Sequence, residues 1–581
     1  MKKLTITELD KTLHAFLEAV KPLVDEKIFA QTQAVTTEFA EGVGEVLNEA
    51  LLLHAQATAG SWVFDIWREH CLLNHDSLPL SSNVGVKIEW QATQNGLKRL
   101  AFFTHCIAQV HRLYFLGQLE ERLKQLNLPY SPEPWQILLG AGRRPDYPQD
   151  HYIFNPENAK GRHAIVLFKG KAWKMTLIDE KSRLANPAQI EKVLYQIQSS
   201  GHFEPDILFT APSVLPTEEA LEVRKQMISR ADNGRIWQQI ESALFVISID
   251  NGHHNDDEDA LHDISFGEGD GIWAYKPFNY RYHLQDNRLY VNVEHTWVDA
   301  HIIDEILMVA QEHYHQQAFA RKNDLPEYLD VELLDWTIET NTRALIKEHL
   351  VDFQRRSEAM SVTIHDIFLS KNESQLLKQE NSDAIIQLLL QYAQKVTYGS
   401  IRSTYQTIGT YHEHNGCGDN IRTVSEISVA LVEEMLRNQS NESLFARYLE
   451  EYQQKLQRAE LELSLDYHLQ GLQAMAEAQG LEVAFFENEG FKRLQENFIT
   501  TTSYAQQQMI SHVAYAPSYD GGLAIDYSLQ RSNITFVITH KRSELPNVTQ
   551  FTQALQSGLK KLLRLFNEVE NKHVPSYYRL D

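Results

Sequence analysis

The chain has 581 residues, of which 43% are hydrophobic and 23% are charged. This length exceeds what one compact core serves, so a globular protein of two or more domains is expected. The formal net charge of −24 argues against a nucleic-acid partner and against anchoring to an anionic membrane, because both surfaces are negative. The three cysteines, Cys71, Cys106 and Cys417, lack the spacing of a zinc site or a disulfide framework, which favours a reducing compartment.

The sequence shows no targeting or membrane segment of the usual kinds. Two lysines near the start are not followed by an apolar run, so we expect no signal peptide. No stretch of about eighteen apolar residues occurs, so we expect no transmembrane helix. We therefore expect a soluble protein of the cytoplasm.

Apolar periodicity predicts helices and strands in alternation through the first half of the chain. The helices predicted there cover residues 6–56, 98–125 and, as a pair, 216–244. Alternating side chains predict strands over 164–168 and 172–177, joined by a Lys-Gly-Lys turn into a hairpin, and 244–249 has the composition of a buried strand. Residues 250–271 are polar, acidic and glycine-containing, which predicts a loop.

The second half continues the alternation. Strands are predicted over 281–283 and 288–293, the second running into Glu294 and His295, and a helical pattern follows. The remaining predicted elements are a helix-rich stretch at 326–395, a turn-rich insertion at 411–418, helices at 425–480, an apolar strand at 534–539 and a closing helix at 547–570. Strands and helices that alternate in both halves favour an α/β architecture.

The segment around His295 carries the strongest chemical signal. A strand delivers His295 to the start of a loop, and Asp299 follows four residues later, close enough to brace the imidazole or the loop. A histidine suits proton transfer near neutral pH, since its reference pKa is about 6.5. By itself a His-x-x-x-Asp pattern is weak evidence in a chain with 25 histidines.

The surrounding strings add to that pattern. LYVNVEHTWVDAHIIDEIL at 289–307 resembles the catalytic block of the carnitine/choline acyltransferases. Further strings resemble other blocks of that family in the same order: WVFDIW at 62–67, LSSNVG at 80–85, TYGSIRS at 397–403, DNIRT at 419–423, DYHLQGL at 466–472, TTS at 501–503 and YDGGLAIDY at 519–527. Because the strings are collinear over nearly the whole chain, the resemblance covers all of it.

The resemblance implies a fold of two α/β domains, each like chloramphenicol acetyltransferase, with a mixed sheet flanked by helices and a tunnel between the domains. We expect an N-terminal half at 1–345 that carries the histidine and a C-terminal half at 346–581 that carries acceptor and oxyanion motifs. Acyl-coenzyme A would be a co-substrate, no cofactor would be bound, and a small alcohol would be the other substrate.

The resemblance also implies roles for individual residues. His295 would remove the proton from the acceptor hydroxyl, Asp299 would brace it, and Ser503 would donate to the oxyanion. One such donor is typically worth about 10²–10³ in rate. By composition alone, the threonine-rich stretch that ends at Ser503 is also typical of a strand end.

Departures from the family pattern concern the acceptor. Tyr467 stands where carnitine-using members have an arginine for the carnitine carboxylate, and Gly418 stands where they have a threonine. Asp419-Asn420 resembles choline-using members. Trp67 and Tyr398 match aromatic positions of the acceptor site, and Thr501 belongs to the same site, although both aromatics could be ordinary core residues. Carnitine is therefore a doubtful acceptor.

The coenzyme A arm and the acyl pocket depart from the family pattern as well. Lys371 matches a lysine that grips the 3′-phosphate, Gln375 replaces its partner, and Lys378 is placed to compensate. Lysines in such a segment are also typical of a solvated helix face, and another pantetheine carrier could be the donor. Val513 falls where family members set acyl length, which favours a short-to-medium chain.

Residues 251–263 contain histidines and several carboxylates, and such side chains can also form a metal site. The resemblance favours a surface loop there, and we expect no metal.

Three hypotheses follow. The first is an active O-acyltransferase whose acceptor is not carnitine, supported by the retained His295, Asp299 and Ser503. The second is a choline acyltransferase, since choline has no carboxylate. The third is a catalytically inactive binding or regulatory protein on the same fold, suggested by the changed substrate positions. The retained base favours a changed acceptor over a lost activity.

Overall fold

The computed structural model describes residues 6–58, 61–130, 132–154, 162–201, 206–252, 254–316, 325–327, 329–379, 381–409, 419–439, 441–460, 465–503 and 507–573. They form two compact units, each discontinuous in sequence. Unit 1 draws on Met1–Ile66, Thr363–Ala505 and Pro517–Asp581, and unit 2 on Trp67–Val362 and Gln506–Ala516. The expected division of the chain near residue 345 stays a prediction.

The helices, in chain order, are α1 (Leu9–Val20), α2 (Glu26–Ala40), α3 (Val43–Ala57), α4 (Trp62–Leu72), α5 (Leu78–Ser81), α6 (Gly96–Phe115), α7 (Leu119–Gln125), α8 (Pro187–Gln198), α9 (Thr217–Ile228), α10 (Asn233–Glu241), α11 (Asp257–Ser265), α12 (Ala300–Gln316), α13 (Thr340–Glu358), α14 (Lys371–Gln379), α15 (Ser382–Tyr398), α16 (Glu426–Leu436), α17 (Glu442–Glu460), α18 (Leu465–Ala478), α19 (Ala484–Glu487), α20 (Glu489–Gln495) and α21 (Leu545–His573). None of these described helices combines the length and the apolar character needed to cross a membrane.

The strands are β1 (Val84–Ile88), β2 (Gly142–Arg144), β3 (His151–Ile153), β4 (His163–Phe168), β5 (Lys171–Thr176), β6 (Val246–Asp250), β7 (Phe278–His283), β8 (Leu289–Val293), β9 (Val331–Leu334), β10 (Met360–Phe368), β11 (Thr404–Ile408), β12 (Asp419–Arg422), β13 (Ile499–Thr502), β14 (Ile510–Tyr515), β15 (Leu523–Leu529) and β16 (Asn533–Lys541). The strands predicted near 164–177, 244–249, 281–293 and 534–539 are all present.

Unit 2 is built on an eight-stranded mixed sheet in the order β14-β1-β8-β7-β6-β4-β5-β9. All residues of β6, β7 and β8 are buried, as expected for central strands covered on both faces. The β7–β8 hairpin closes through Asn287 at φ +62°, a conformation that asparagine tolerates better than most residues. Helix α11 packs on β1, β8 and β14, and α6 packs against α8 and α12.

Unit 1 is built on a six-stranded mixed sheet in the order β10-β16-β15-β13-β11-β12, in which β11, β13 and β15 run parallel. Helix α15 packs against α16 and α21 and contributes a continuous apolar surface to the core. It ends at Tyr398 because Gly399 follows at φ +74°, the left-handed conformation that suits glycine. A second apolar cluster joins residues of α1–α4 and α18–α20.

The α/β class and the two mixed sheets flanked by helices confirm the predicted fold class. Two local predictions were wrong. The helix predicted at 98–125 is interrupted at Gly117, which has φ +65°. The loop predicted at 250–271 contains α11, whose first turn is capped by the Asp256 side chain. The stretch at 326–395 is helix-rich as predicted, with α13, α14 and α15, and it also contains the strands β9 and β10. The insertion predicted at 411–418 lies outside the described residues.

Candidate active site

His295 occupies the first turn after a central strand of unit 2. Strand β8 is paired on one side with β1 and on the other with β7, so its end is held in place by two ladders. The chain leaves the strand at Glu294, and His295 lies half-buried in the turn that precedes α12. A side chain at the end of a buried strand is positioned more firmly than one on a free loop.

The hydrogen bond of His295 defines which ring nitrogen carries a proton. Its Nδ1 atom lies 2.6 Å from the backbone carbonyl oxygen of Val298. A carbonyl oxygen only accepts, so Nδ1–H is the donor and the neutral ring carries its lone pair on Nε2. Asp299 is the next residue and caps α12, where its carbonyl accepts from the Ile302 N–H at 3.1 Å. The local turn therefore presents His295 in the tautomer required of a base.

Trp67 lies beside the histidine. Its ring meets the His295 ring edge-on, with centroids 6.0 Å apart and an interplanar angle of 73°. The structure thus brings together two residues that the sequence analysis placed in one site from positions more than 200 residues apart. The acceptor-binding role of Trp67 stays a prediction.

A buried ionic network lies directly behind His295, and sequence analysis did not find it. Arg143 donates from Nε to Asp150 at 2.6 Å, and its Nη1 lies 3.7 Å from Glu294; the side chains of all three are fully buried. Thr296 donates its hydroxyl hydrogen to the Glu294 carboxylate at 2.5 Å. Arg143 and Asp150 are single charged residues without a periodic pattern, so the sequence gives no local signal for this network.

The charges of this network depend on one another. Burial raises the pKa of Glu294, while Arg143, Thr296 and His295 act in the opposite direction. Burial lowers the pKa of Arg143, but the attraction of Glu294 and Asp150 has the larger effect. The pKa of Arg143 is therefore raised. The attraction between Arg143 and the two carboxylates therefore holds the network together at the start of the turn that carries His295.

Val513 is buried in β14, two strands from β8. Val86 of β1 pairs with Val513 on one side and with Val291 on the other. Directly paired residues share a face of the sheet, so Val513 lies on the same face as Val291, roughly 10 Å from it. Its proposed contact with the acyl chain stays a prediction.

Ser503 and Thr501 lie at the carboxyl end of β13 in unit 1. Ser503 follows the last strand residue and is half-buried. Thr501 is buried, donates its hydroxyl hydrogen to the Tyr405 carbonyl at 3.0 Å and accepts from Gln387 at 2.9 Å. The Thr501 hydroxyl is thus occupied inside the unit, whereas Ser503 stands at the strand end expected for an oxyanion donor.

The structure does not place Tyr398 with Ser503. Tyr398 contacts Phe498, with ring centroids 5.0 Å apart, and Phe498 precedes the first residue of β13. Five residues of extended chain separate Phe498 from Ser503, roughly 16 Å. Gln387, near the start of α15, donates to Thr501 near the end of β13, so the helix and the strand run in opposite directions and Tyr398 lies by the first end of the strand. The acceptor-binding role of Tyr398 stays a prediction.

The other predicted residues of unit 1 lie on helices or outside the described residues. Tyr467 packs against the apolar cluster of α1–α4 and α18–α20. Lys371 and Lys378 are exposed on α14, seven residues apart, so they share one helix face. Gly418 lies outside the described residues, and Asp419, the residue after it, begins β12.

Comparisons with known proteins identify the family of the chain. A sequence model described as Choline/Carnitine o-acyltransferase matches residues 4–557. Carnitine O-palmitoyltransferase 2, mitochondrial, of Rattus norvegicus is 23% identical over 629 residues, covering 99% of this chain and 92% of the relative. Carnitine O-palmitoyltransferase 1, muscle isoform, of Bos taurus is 23% identical over 604 residues, covering 97% and 77%.

Among solved structures, the trichothecene 15-O-acetyltransferase TRI3 from Fusarium sporotrichioides superposes with a TM-score of 0.39 at 8% identity, covering 85% of this chain and 94% of that one. The family match extends over nearly the whole chain and includes the strand-to-turn segment that carries His295. The chain therefore belongs to the choline/carnitine O-acyltransferase family and is an acyl-CoA-dependent acyltransferase.

Proposed function

We propose that this enzyme transfers a short-to-medium acyl group between coenzyme A and a small alcohol without a carboxylate, with His295 as the general base. The observation that carries the proposal is the bond from His295 Nδ1–H to the Val298 carbonyl at 2.6 Å. It directs the basic lone pair to Nε2, and the adjacent Trp67 ring provides an apolar wall for a substrate.

The proposed reaction follows from that tautomer. Nε2 takes the proton of the acceptor hydroxyl, and the oxygen attacks the thioester carbonyl with no acyl-enzyme intermediate. The tetrahedral oxyanion receives a hydrogen bond from Ser503, and its collapse releases the coenzyme A thiolate, which takes the proton back from His295. Asp299 braces the turn that carries the ring, and Glu294 precedes the ring as part of the buried network with Arg143 and Asp150. A tunnel that delivers the two substrates to His295 from opposite sides belongs to the same proposal.

The residues at the position expected for the carnitine carboxylate favour an acceptor that lacks a carboxylate. Tyr467 stands where the family arginine would meet the carnitine carboxylate, and a buried carboxylate without a cation is costly. The neighbouring Arg422 does not fill that role, because it donates to Asp466 at 3.0 Å and to Asn497 at 2.6 Å. An alcohol without a carboxylate, choline among them, fits this arrangement better than carnitine does.

An acceptor panel tests this proposal. Acetyl-, octanoyl- and palmitoyl-coenzyme A are each offered with carnitine, choline and small neutral alcohols, and the free thiol is followed. We expect the highest kcat/KM with an acceptor that lacks a carboxylate, and a value for carnitine about 10- to 100-fold lower, as for one lost charged hydrogen bond. Carnitine as the best acceptor would refute the acceptor assignment. If no free thiol is released with any pair of acyl-coenzyme A and acceptor, the result would instead support a catalytically inactive binding protein.

We also propose that Lys371 and Lys378 bind the 3′-phosphate of coenzyme A from one face of α14. Replacing both with alanine should raise KM for acyl-coenzyme A about 3- to 30-fold and leave kcat nearly unchanged, since exposed ion pairs are each worth at most about 1 kcal/mol. KM measured at two salt concentrations is the readout, because the variant should lose salt dependence. The matched control replaces Lys27 and Lys560, which are exposed on other helices of unit 1; an equal KM change in both double variants would exclude a specific phosphate site.

The cytoplasmic location also stays a proposal. The acidic composition and the cysteine pattern support it, while the first relative named above carries the word mitochondrial in its name. Fractionation of the source cells, followed by detection of the chain, is the direct test.

A further inference from the structure

Four side chains of unit 2 that can bind a metal converge at the ends of β6 and β7. They are Asp250, His254, Asp263 and His283, and one ligand atom from each lies within 4.8 Å of the others. Asp250 and His283 are the last residues of the parallel strands β6 and β7 and are paired with each other. Asp263 comes from α11, and His254 from the segment that leads into it. Three elements of the fold therefore meet at this cluster.

The distances between ligand atoms are close to those around a tetrahedral ion. His254 Nε2 lies 2.8 Å from Asp250 Oδ2 and 3.8 Å from Asp263 Oδ2, and His283 Nε2 lies 3.5 Å from Asp250 Oδ2. Four ligands at the usual zinc distances of about 2.0–2.1 Å are separated by about 3.4 Å. The His254 and His283 rings stack with their centroids 4.4 Å apart and 17° between their planes, so one ring must turn for both to bind the same ion.

His283 gives independent support for a ligand at this place. It is 1% exposed, and neither ring nitrogen has a hydrogen-bond partner among the described residues. A buried imidazole without a partner is costly unless something accepts its lone pair. The His283 Nε2 atom lies 3.5 Å from Asp250 Oδ2, so this ring nitrogen faces the cluster.

The local charges also leave room for a cation. Three carboxylates, those of Asp250, Asp263 and Asp270, surround the buried guanidinium of Arg281. With both histidines neutral, these three carboxylates against one guanidinium leave an excess of negative charge. Arg281 is placed to hold the carboxylates from outside, as outer-shell partners of metal ligands do.

From this geometry we propose that Asp250, His254, Asp263 and His283 bind one Zn²⁺ ion. Two imidazoles with two carboxylates suit zinc better than Mg²⁺ or Ca²⁺, which prefer oxygen ligands alone. The proposal departs from the expectation of no metal and is independent of the proposed function. His283 pairs at the start of β8, so the site lies roughly 20 Å along that strand from His295. The ion joins α11 to the strand ends and takes no part in acyl transfer.

The test uses the full chain after dialysis against EDTA. Titration with ZnCl₂ in a calorimeter should show one equivalent bound and should raise Tm by at least about 3 °C. Co²⁺ should give the absorption bands of a tetrahedral site. Acyl-transfer turnover at 25 °C should change by less than about twofold on zinc binding. The test of the zinc site is therefore independent of the test of His295 as the base.

The primary variant is His254→Gln, because this residue lies in a partly exposed segment and its replacement should leave the fold intact. Its Kd for Zn²⁺ should rise at least about 100-fold, and Asp263→Asn should behave similarly. His14→Gln, on an exposed helix position, is the control and should bind as the unmodified chain does. The proposal is wrong if the unmodified chain binds no Zn²⁺ at one equivalent, or if His254→Gln and Asp263→Asn bind it unchanged.

Discussion

Replacing His295 with alanine should lower kcat/KM for acyl transfer by about 10²- to 10⁴-fold, the usual contribution of a positioned base. The side chain lies at the end of β8, where its Nδ1–H bonds the Val298 carbonyl at 2.6 Å. Its loss removes the proton acceptor and leaves the strand ladders intact. Thiol release is measured with the best acceptor of the panel, together with Tm. A loss of thiol release at unchanged Tm shows that catalysis and not folding is lost.

His14→Ala is the matched control for this prediction, since His14 is exposed on α1 and its ring contacts Glu18 in the same helix. It should keep full activity. His295→Ala should keep a Tm within a few degrees of the unmodified chain. Turnover of the His295 variant within threefold of the unmodified enzyme would rule out the proposed base.

Replacing Arg143 with methionine should lower the free energy of unfolding of unit 2 by about 3–5 kcal/mol, the typical cost of removing one partner from a buried ion pair. Arg143 bonds Asp150 at 2.6 Å and faces Glu294 at 3.7 Å, and the side chains of all three are fully buried. Its loss leaves two carboxylates inside the unit without a cation. Calorimetric unfolding, which can separate the transitions of two units, is the measurement.

Lys124→Met is the comparison, because the Lys124–Glu120 pair is exposed to solvent and should contribute little to stability. Adding Asp150→Asn and Glu294→Gln to Arg143→Met should recover part of the loss, since the uncompensated charges are then gone. Equal losses for Arg143→Met and Lys124→Met would show that the network does not stabilise the unit.

The sequence predicts elements whose signals are local. Alternating side chains on both sides of a turn predict the hairpin of β7 and β8. His295 is recognisable as a candidate base because a strand, a turn and a helical pattern follow one another within twenty residues. Helix α11 was missed because its acidic residues conceal the apolar positions Ala260, Leu261 and Ile264, which face the core. Strand β10 was missed because its alternation falls between long helical patterns.

Most site features that the sequence does not predict depend on contacts between residues that are distant in the chain. Arg143 reaches Glu294 across about 150 residues of chain, and a lone arginine carries no periodic signal. His283 approaches Asp250 only because β6 and β7 pair in that register. The position of Tyr398 likewise depends on the direction in which α15 crosses β13, which a matching string does not reveal.

The strand order of unit 2 has a consequence for how the chain folds as it is made. Strand β1 pairs with β8 on one side, but its other neighbour is β14, which lies more than 400 residues later in the chain. At typical synthesis rates, roughly 10–45 s pass between the appearance of Val293 and that of Tyr515 on the ribosome. Throughout that interval the outer N–H and C=O groups of β1, which is rich in valine, stay open to pairing with other nascent chains. Pairing of this edge with other chains therefore competes with correct folding until β14 has been synthesised.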